Sequence, residues 1–234
     1  MCWVCTIAYM VCDVFDASVV ATRMPDVRGM LMCVLASHNA IVVAKSDDAR
    51  ALGMSTGMTV WEAKKLAPQA EFLAADFRYY GLLSNKVFSI LRRYSPDIEV
   101  YSIDEGFMDM GDIRTLWRKS FRQLGDEIRL TIQRETGITA SVGISVTRTL
   151  AKMASESNKP NGTTVIQGKR IERFLADMAI GEIPGIGRNR EALLHKFDIH
   201  TAQQFTRIDD GLMQRLLGRH GLILKQELSG ISVT

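Results

Sequence analysis

The chain has 234 residues, of which 47% are hydrophobic and 24% are charged, and its formal net charge is +3. A chain of this length and composition can bury a core without a disulfide or metal staple, which excludes a disordered or fibrous protein. No apolar run reaches the roughly 18 residues that span a bilayer, and the apolar stretch 1–12 lacks the basic start and cleavage site of a signal peptide. We therefore expect a cytoplasmic protein with no membrane partner.

All four cysteines fall within the first 33 residues, in apolar sequence. Cys2 and Cys5 form a C-x-x-C pair, but no second pair or histidine cluster follows at zinc-ligand spacing. We therefore expect buried free thiols at Cys2, Cys5, Cys12 and Cys33. The small excess of positive charge lies entirely within residues 150–234. It is compatible with a polyanionic partner and equally with a solvated face.

Hydrophobic patterning predicts strands that alternate with helices. The apolar run 5–14 predicts a buried strand that carries one acid, Asp13, at its end. Runs at 98–103 and 107–110 predict a hairpin with acids at its bend, and a single apolar stripe predicts one amphipathic helix over 115–134. The remaining predicted elements are strands at 31–35, 41–44, 140–145 and 163–166, and helices at 47–52, 60–66, 77–94, 188–197 and from 199 onward. Together they indicate an α+β sheet protein.

Two adjacent acids, Asp104 and Glu105, stand at the bend of the predicted hairpin. Like charges a few Å apart resist joint ionisation unless a cation lies between them, although a solvated turn is the alternative for an isolated pair. If the strand that ends at Asp13 lies beside this hairpin, three carboxylates converge. Such a group suits two Mg²⁺ ions, which bind the attacking and leaving oxygens of a phosphoryl transfer.

The segment 184–187, with the sequence P-G-I-G, precedes a predicted basic helix and has the pattern of a helix-hairpin-helix DNA-binding element. Its glycines, Gly185 and Gly187, let backbone N–H groups approach a phosphate at a helix N-terminus. Arg188 and Arg190 add positive charge without base specificity. A tight turn between two helices is the alternative interpretation of this segment.

Two lysines are further candidates for contacts with phosphates. Lys152 is expected on a helix and Lys159 at its exit, where both are placed to meet phosphates or a template strand. The alternative is that both are ordinary surface lysines.

Three segments together resemble the Y-family, or translesion, DNA polymerases: YSIDEGFMDM at 101–110, SVGISVTRTLAKMASESNKPNG at 141–162 and IPGIGRNREALLHKFDIHT at 183–201. The chain looks most like the catalytic subunit of bacterial DNA polymerase V, in order over residues 11–230. The resemblance implies a catalytic palm (residues 1–20 and 78–165), small fingers (21–77) and a thumb with the helix-hairpin-helix (166–234). It also implies primer–template DNA and a dNTP as partners, together with accessory SOS proteins and a sliding clamp.

The resemblance also implies a metal site. By position, Asp13, Asp104 and Glu105 would hold two Mg²⁺ ions, with the backbone carbonyl of Val14 as a further ligand. The primer 3′-hydroxyl would then attack the α-phosphate of the incoming dNTP. Small fingers would leave the new base pair exposed, which would allow damaged templates to be copied at lower fidelity.

Two cations match the contacts that the family makes with the triphosphate. Arg50 falls where the family has a basic residue of the fingers. Lys159, in the K-P-N-G motif, matches the second contact. The resemblance thus predicts that both residues bind the incoming nucleotide.

The sequence departs from the family pattern next to Asp13. Family members have three residues between the first metal-binding Asp and an aromatic pair followed by Ala-Ser, whereas one residue separates Asp13 from Phe15. Counted from Asp13, this segment is two residues short. Asp16 then stands where an aromatic steric gate excludes a ribose 2′-hydroxyl, and Phe15 is the other candidate for this nucleotide contact. Val20 replaces the acid that usually follows Ala-Ser.

The family normally has a further DNA-gripping domain, the little finger, after the thumb. Because the chain ends at Thr234, we expect this domain to be absent and contacts with DNA and accessory proteins to be reduced. The first hypothesis is therefore a translesion DNA polymerase, and the second is a polymerase-derived DNA-binding protein without activity. A nucleotide cyclase, which shares a palm-like sheet with paired acids, would need neither the helix-hairpin-helix nor the K-P-N-G motif.

Overall fold

The computed structural model of the chain describes residues 6–27, 29–36, 41–111 and 113–233. The predicted free thiols Cys2 and Cys5 lie outside these ranges, whereas Cys12 and Cys33 are buried free thiols, as expected. In the part of the chain that is described, no helix has the length and apolar character needed to cross a membrane.

Strands and helices alternate through the first two thirds of the chain, and helices alone follow. The strands are β1 (Ile7–Cys12), β2 (Met32–Leu35), β3 (Val42–Lys45), β4 (Glu71–Ala74), β5 (Ile98–Val100), β6 (Glu105–Asp109), β7 (Ala140–Ser145) and β8 (Thr163–Val165). The helices are α1 (Phe15–Arg23), α2 (Asp47–Ala51), α3 (Val60–Leu66), α4 (Phe77–Leu91), α5 (Ile113–Trp117), α6 (Phe121–Thr136), α7 (Arg148–Glu156), α8 (Arg170–Ala176), α9 (Arg188–His195), α10 (Ala202–Thr206) and α11 (Asp210–Leu228). The α+β class is confirmed.

The larger sheet has the strand order β5-β6-β1-β7-β8, so β1 lies between β6 and β7 and is antiparallel to both. Side chains alternate between the two faces of a strand. One face of β1 joins the main hydrophobic core, to which α4 and α6 also contribute, and the other face, with Ile7, Tyr9 and Val11, meets α7. The apolar run at the start of the chain is thus buried on both sides, and the acid that follows it is delivered to the sheet's end.

A second, smaller sheet has the order β3-β2-β4 and packs with α2 and α3 around a separate apolar cluster. Helix α3 begins with a reciprocal capping box. The Glu62 carboxylate accepts the backbone N–H of Thr59 at 2.9 Å, and the Thr59 hydroxyl accepts the N–H of Glu62 at 3.3 Å. Two otherwise unbonded N–H groups are satisfied in this way, which stabilises so short a helix.

Helices α8 to α11 enclose a third cluster, centred on the fully buried Phe205 and Met213. A buried acid of α11, Glu227, connects this cluster with the large sheet. The Glu227 carboxylate accepts the N–H of Thr149 at 3.0 Å, and the Thr147 hydroxyl donates to the Glu227 carbonyl oxygen at 2.9 Å. Because Thr149 lies in the first turn of α7, the negative charge is stabilised by the helix N-terminus.

Several predicted bounds are wrong. The strand predicted over 98–103 ends at Val100, and Glu105 is already the first residue of β6, so the two acids do not share a hairpin tip. The helix predicted over 115–134 is two helices, because Arg118 adopts a positive φ of 50° and Ser120 caps the start of α6. The helix predicted over 77–94 ends at Leu91, and β4 has no counterpart among the predicted elements.

Candidate active site and DNA-binding hairpin

The end of β1 lies beside the acidic start of β6. Val11 is paired with Glu105 on β6, and the N–H of Cys12 donates to the carbonyl oxygen of Asp104 at 2.9 Å. The first strand and the acidic hairpin are therefore neighbours in one sheet, which is the condition on which the predicted convergence of the three carboxylates depends. On its other edge, Val11 is paired with Ser141 of β7.

Asp13 follows β1 directly and is only 3% exposed. One carboxylate oxygen, Oδ1, accepts a hydrogen bond from the Ser141 hydroxyl at 2.8 Å, and Oδ2 accepts one from the backbone N–H of Asn161 at 2.8 Å. Burial of a carboxylate is costly unless hydrogen bonds of this kind compensate for the lost water. Both donors belong to β7 and to the turn that precedes β8. The carboxylate is therefore held on the β7 side of β1.

The two acids of the hairpin are less buried than Asp13, and each has a partner of its own. Asp104 Oδ1 accepts a hydrogen bond from the Ser102 hydroxyl at 2.6 Å. Glu105 Oε2 lies 3.0 Å from the ammonium nitrogen of Lys152, in an ion pair whose side chains are 18% and 26% exposed. The charge of Glu105 is thus neutralised by a lysine.

Lys152 lies on α7, as expected, and is enclosed by aromatic rings. Its Nζ is 4.9 Å from the ring centroid of Tyr9 and 4.9 Å from that of Tyr101. A desolvated ammonium over aromatic faces is stabilised by the negative ring quadrupole. In this structure the lysine contacts Glu105 and the two rings, and the DNA contact expected of it stays a prediction.

The described residues contain no group of three His, Cys, Asp or Glu side chains arranged to hold a metal ion. Strands β6 and β7 lie on opposite sides of β1, and Asp13 accepts its hydrogen bonds from β7 and the turn before β8, whereas Asp104 and Glu105 belong to the β6 side. The convergence of Asp13 with Asp104 and Glu105 on two Mg²⁺ ions stays a prediction.

A left-handed residue turns the chain from β1 into α1. Val14 has φ 45° and ψ 50°, α1 starts at the next residue, and the Val14 carbonyl accepts the N–H of Ser18 at 2.9 Å. Phe15 consequently enters the core, where it is 4% exposed and its ring lies 5.9 Å from that of Tyr80. The predicted metal contact of Val14 and nucleotide contact of Phe15 therefore involve groups that already have partners within the chain.

Asp16 is half-buried in the first turn of α1. Burial, and in second place the negative charge of Asp104, raise the pKa of Asp16 above its ordinary value. The Tyr80 hydroxyl is buried without a hydrogen-bond partner among the described residues, and its pKa is raised by burial and then by the charge of Asp16. Asp16 therefore lies within electrostatic reach of Asp104, and the two negative charges repel each other.

The two predicted triphosphate contacts are each paired with an acid of their own segment. Arg50 is exposed on α2 and lies 3.6 Å from Asp47. Lys159 follows α7 and lies 2.6 Å from Glu156. Exposed pairs one helical turn apart are weak, so both cations can exchange their acid for a phosphate.

The predicted DNA-binding hairpin is formed as expected at the N-terminus of α9. Gly185 has φ 89° in a turn closed by a hydrogen bond from the N–H of Ile186 to the carbonyl of Ile183 at 2.9 Å, and Pro precedes the glycine as in a type II turn. A side chain at Gly185 would lie 2.8 Å from the His220 ring. The glycine is therefore required by its φ and by its packing.

The surface next to this hairpin is open and basic. Gly187 caps α9, and a hollow of about 470 Å³ is lined by Gly185, Gly187, Arg188, Asn189 and Arg190. Arg188 is exposed, while the Arg190 guanidinium donates to the Gly185 carbonyl oxygen at 2.6 Å. N–H groups at a helix N-terminus together with exposed arginines form a binding site for anions such as phosphate.

Sequence reasoning missed the hydrogen-bond donors that hold the acids, which are two side-chain hydroxyls and one backbone N–H. Ser141 and Asn161 stand 128 and 148 residues after Asp13, and both fall in segments quoted for the resemblance. The Ser102 hydroxyl could have been predicted as a local donor to Asp104, because it lies only two residues earlier in the chain. The rings of Tyr9 and Tyr101 around Lys152 depend on packing between distant elements, for which the sequence carries no local signal.

A sheet that pairs the first strand with an acidic hairpin, followed by a glycine hairpin on C-terminal helices, is typical of template-dependent polymerases of the Y-family. A family model described as the impB/mucB/samB family matches residues 10–156 of the chain. The chain belongs to this family, in agreement with the resemblance noted in its sequence.

Its relatives include DNA polymerase IV 1 of Bacillus subtilis (strain 168), which is 36% identical over 220 residues, 93% of this chain and 53% of that protein. DNA polymerase IV of Neisseria meningitidis serogroup B (strain ATCC BAA-335 / MC58) is 34% identical over 222 residues, 93% of this chain and 69% of the relative. This chain spans about half the length of the Bacillus protein. Because these relatives are polymerase IV proteins, the finer likeness to polymerase V stays a prediction.

Two solved structures have the same fold. The crystal structure of DinB from Sulfolobus solfataricus gives a TM-score of 0.85 at 27% identity, covering 96% of this chain and 67% of that one. The insertion ternary complex of Dbh DNA polymerase gives 0.87 at 26% identity, with coverage of 96% and 67%. In both comparisons the similarity extends over nearly the whole chain.

Proposed function

We propose that the chain binds primer–template DNA and a dNTP and performs template-directed nucleotidyl transfer, as an error-prone polymerase of the translesion type in SOS damage tolerance. The observation that carries this proposal is the pairing of β1 with the start of β6, which brings Asp104 and Glu105 to the end of the central strand. The open basic hollow at Gly185 supports it with a second, separate site for DNA phosphates.

The proposed division into palm, fingers and thumb is carried over from the family. The large sheet and its helices would form the palm from residues 1–20 and 78–165, and the small sheet would form the fingers from 21–77. The helices from 166 onward would form the thumb. The apolar clusters cross these boundaries, since the core of the large sheet includes Met32 and Val34, and the helical cluster includes Leu150 and Met153.

In the proposed reaction the primer 3′-hydroxyl oxygen loses its proton to solvent and forms a bond to the α-phosphorus of the dNTP, while the bond from the α-phosphorus to the oxygen that bridges to the β-phosphate breaks and pyrophosphate leaves. Arg50 and Lys159 would exchange Asp47 and Glu156 for oxygens of the triphosphate. Their role is to hold the leaving group and to neutralise its charge. Small fingers would leave the templating pair open to solvent, which favours damaged templates.

Two Mg²⁺ ions are the cofactor that the family implies. Asp104 and Glu105 are partly exposed, whereas both carboxylate oxygens of Asp13 accept hydrogen bonds on the other side of β1. As arranged in this structure, the three acids do not fit one metal site, and no group of three ligating acids, histidines or cysteines exists among the described residues.

The DNA duplex would bind across the hairpin that precedes α9. The N–H groups around Gly185 and Gly187, together with Arg188, would contact backbone phosphates without reading bases. Binding of this kind is non-specific in sequence and sensitive to salt. Accessory SOS proteins and a sliding clamp are further proposed partners, by analogy with the family alone.

Primer extension with the full chain tests the proposal. The parent should extend a labelled primer on a primed template with Mg²⁺ and four dNTPs, and Asp104→Ala should abolish extension without changing DNA affinity. Asp177→Ala, which removes an exposed acid from α8's C-terminal end, is the matched control and should extend primers as the parent does. Retained extension by Asp104→Ala would contradict the proposed role of this acid.

A second candidate function is supported by a specific observation. Because the described residues form no three-acid site, the chain can serve as a primer–template-binding protein without catalysis. DNA binding by the parent in the absence of any extension, under conditions in which a control polymerase is active, would favour this candidate.

A further inference from the structure

The position on β1 that faces Glu105 is occupied by an apolar residue. Val11 is the direct register partner of Glu105 on β6 and of Ser141 on β7. Side chains that are directly opposite on neighbouring strands project from the same face of the sheet, with Cβ atoms about 5 Å apart. A β1 side chain that shared a ligand with Glu105 would therefore come from this position. Val11 is 5% exposed and packs in the cluster with Tyr9 and Phe107.

Asp13 cannot take over this place without losing its own bonds. Its two carboxylate oxygens are occupied by the Ser141 hydroxyl and the Asn161 N–H, both at 2.8 Å and both on the side of β1 away from β6. Asn161 is itself fixed, since it has a positive φ of 55° and its side-chain oxygen accepts a hydrogen bond from Arg129 at 3.1 Å. The carboxylate of Asp13 therefore connects the end of β1 with the turn 159–162.

The remaining charges at this corner are already compensated without a cation. The Lys152 ammonium pairs with Glu105 at 3.0 Å, and the Ser102 hydroxyl donates to Asp104 at 2.6 Å. Carboxylates that together bind a divalent ion repel one another when the ion is absent. In this chain the ammonium group of Lys152 compensates the charge of Glu105.

The spacing along the chain agrees with the register. Three residues separate Val11 from Phe15, and Phe15-Asp16 is followed by Ala-Ser. The same count separates the first acid from the aromatic pair in the family pattern described above. Counted from Val11 the segment has the family's spacing, so the departure in length becomes a change of side chain at Val11, while Asp16 and Val20 still differ from the family pattern.

We propose that Val11 occupies the β1 position of the metal site, that Asp13 is a structural carboxylate outside that site, and that the chain consequently binds divalent cations weakly. The proposal rests on the proposed polymerase function only in naming the site, since it concerns cation binding. It predicts that a single substitution, Val11→Asp, restores a carboxylate opposite Glu105.

Binding of Mn²⁺ alone, followed by the electron paramagnetic resonance signal of the free ion, tests this with the full chain. Val11→Asp should bind Mn²⁺ at least about tenfold more tightly than the parent, because it adds a carboxylate oxygen to the site. Adding Asp104→Asn to Val11→Asp should remove the gain. Asp13→Asn should leave Mn²⁺ affinity unchanged, both alone and in the Val11→Asp background, while it lowers the melting temperature.

Two results would overturn the proposal. One is a folded Val11→Asp variant, with the circular dichroism spectrum of the parent, whose Mn²⁺ affinity is no higher than the parent's. The other is an Asp13→Asn variant that loses Mn²⁺ binding without any loss of thermal stability. Should Val11→Asp fail to fold, the parent and Asp13→Asn still decide, because tight binding that depends on Asp13 contradicts the proposal, and weak or Asp13-independent binding supports it.

These readouts are independent of the proposed function. A Val11→Asp variant that binds Mn²⁺ and does not extend primers would support the site and contradict the polymerase. A parent that extends primers, but stops doing so in Asp13→Asn with its stability intact, would support the polymerase and contradict the site.

Discussion

The acidic corner beside β1 and the glycine hairpin before α9 differ in how far their polar groups are already satisfied. At the acidic corner Asp13, Asp104 and Glu105 each have a hydrogen-bond or ion-pair partner within the chain. At the hairpin, Gly187 and the exposed Arg188 border an open hollow that faces solvent. The hairpin is therefore ready for an anion, whereas the corner is stable without a cation.

The difference follows from how each site is assembled. The hairpin is built within eight consecutive residues, 183–190, so its geometry is set by local turn preferences. The corner requires groups from β1, β6, β7 and the turn 159–162, and Val11 occupies the β1 position that is paired with both Glu105 and Ser141. A binding site made from local backbone geometry is less sensitive to a single substitution than a site that depends on three acids from distant parts of the chain.

The largest expected effect is on stability at Asp13. Asp13→Ala would leave the Ser141 hydroxyl and the Asn161 N–H buried without their acceptor, and hydrogen bonds to charged groups contribute about 1.5–3 kcal/mol each. We expect a loss of about 3 kcal/mol in the free energy of unfolding, which lowers the melting temperature of a domain of this size by roughly 6–12 °C. Calorimetry or urea denaturation measures it.

Two variants calibrate that result. Ser141→Ala removes one of the two donors and should cost less than Asp13→Ala, while Asp177→Ala at an exposed position should change stability little. An Asp13→Ala variant as stable as the Asp177→Ala control would contradict the structural role of the Asp13 carboxylate. The acidic corner would then not differ from the glycine hairpin in being stabilised by its own hydrogen bonds.

The elements were more predictable from sequence than the contacts between side chains. The acid at the end of β1 and the acids at the start of β6 were predictable because apolar runs end in charge at those points. The break between α5 and α6 was not, since Trp117 and Phe121 keep one apolar stripe in phase across Arg118. Strand β4 was missed because it is short, partly exposed and paired in parallel with a distant strand.

At the candidate site, the hydrogen-bond partners of the acids could not be predicted from the sequence. The sequence left open whether the strand of Asp13 lies beside the hairpin of Asp104 and Glu105, and the structure shows that it does. The side of β1 on which a carboxylate settles depends on which donors it finds. For Asp13 those donors are 128 and 148 residues away, and no local pattern reports them.

An intermediate effect is expected at the glycine hairpin. Replacing both Arg188 and Arg190 with Ala should weaken duplex binding by about tenfold and reduce the slope of log affinity against log salt by about 2, because each phosphate contact releases close to one counterion. Arg188→Ala alone should account for about half of that slope. Fluorescence anisotropy of labelled primer–template DNA at several salt concentrations measures both quantities.

The matched control replaces Arg92 and Arg134 with Ala, which changes net charge equally but on α4's C-terminal end and on α6. It should leave the slope near that of the parent. An equal reduction of the slope in both double variants would show that overall charge, not the hairpin, governs DNA binding.

The smallest effect is expected in the pH dependence of stability that comes from Asp16. This acid interacts electrostatically with Asp104 of the acidic corner. Burial first, and the charge of Asp104 second, raise the folded-state pKa of Asp16 above the unfolded value of 3.8. Between those two pKa values the native state holds more protons than the unfolded state, so stability falls as pH rises through the window.

The substitution Asp16→Asn removes that loss of stability. The variant should therefore be more stable than the parent at pH 7, with a difference that shrinks as pH falls towards 4. Urea denaturation of both proteins across this range measures it, and the difference should be smaller in an Asp104→Asn background, where the second cause is gone. A stability difference that does not vary with pH would mean that Asp16 titrates alike in the folded and unfolded chain, and that the acidic corner imposes no electrostatic cost on it.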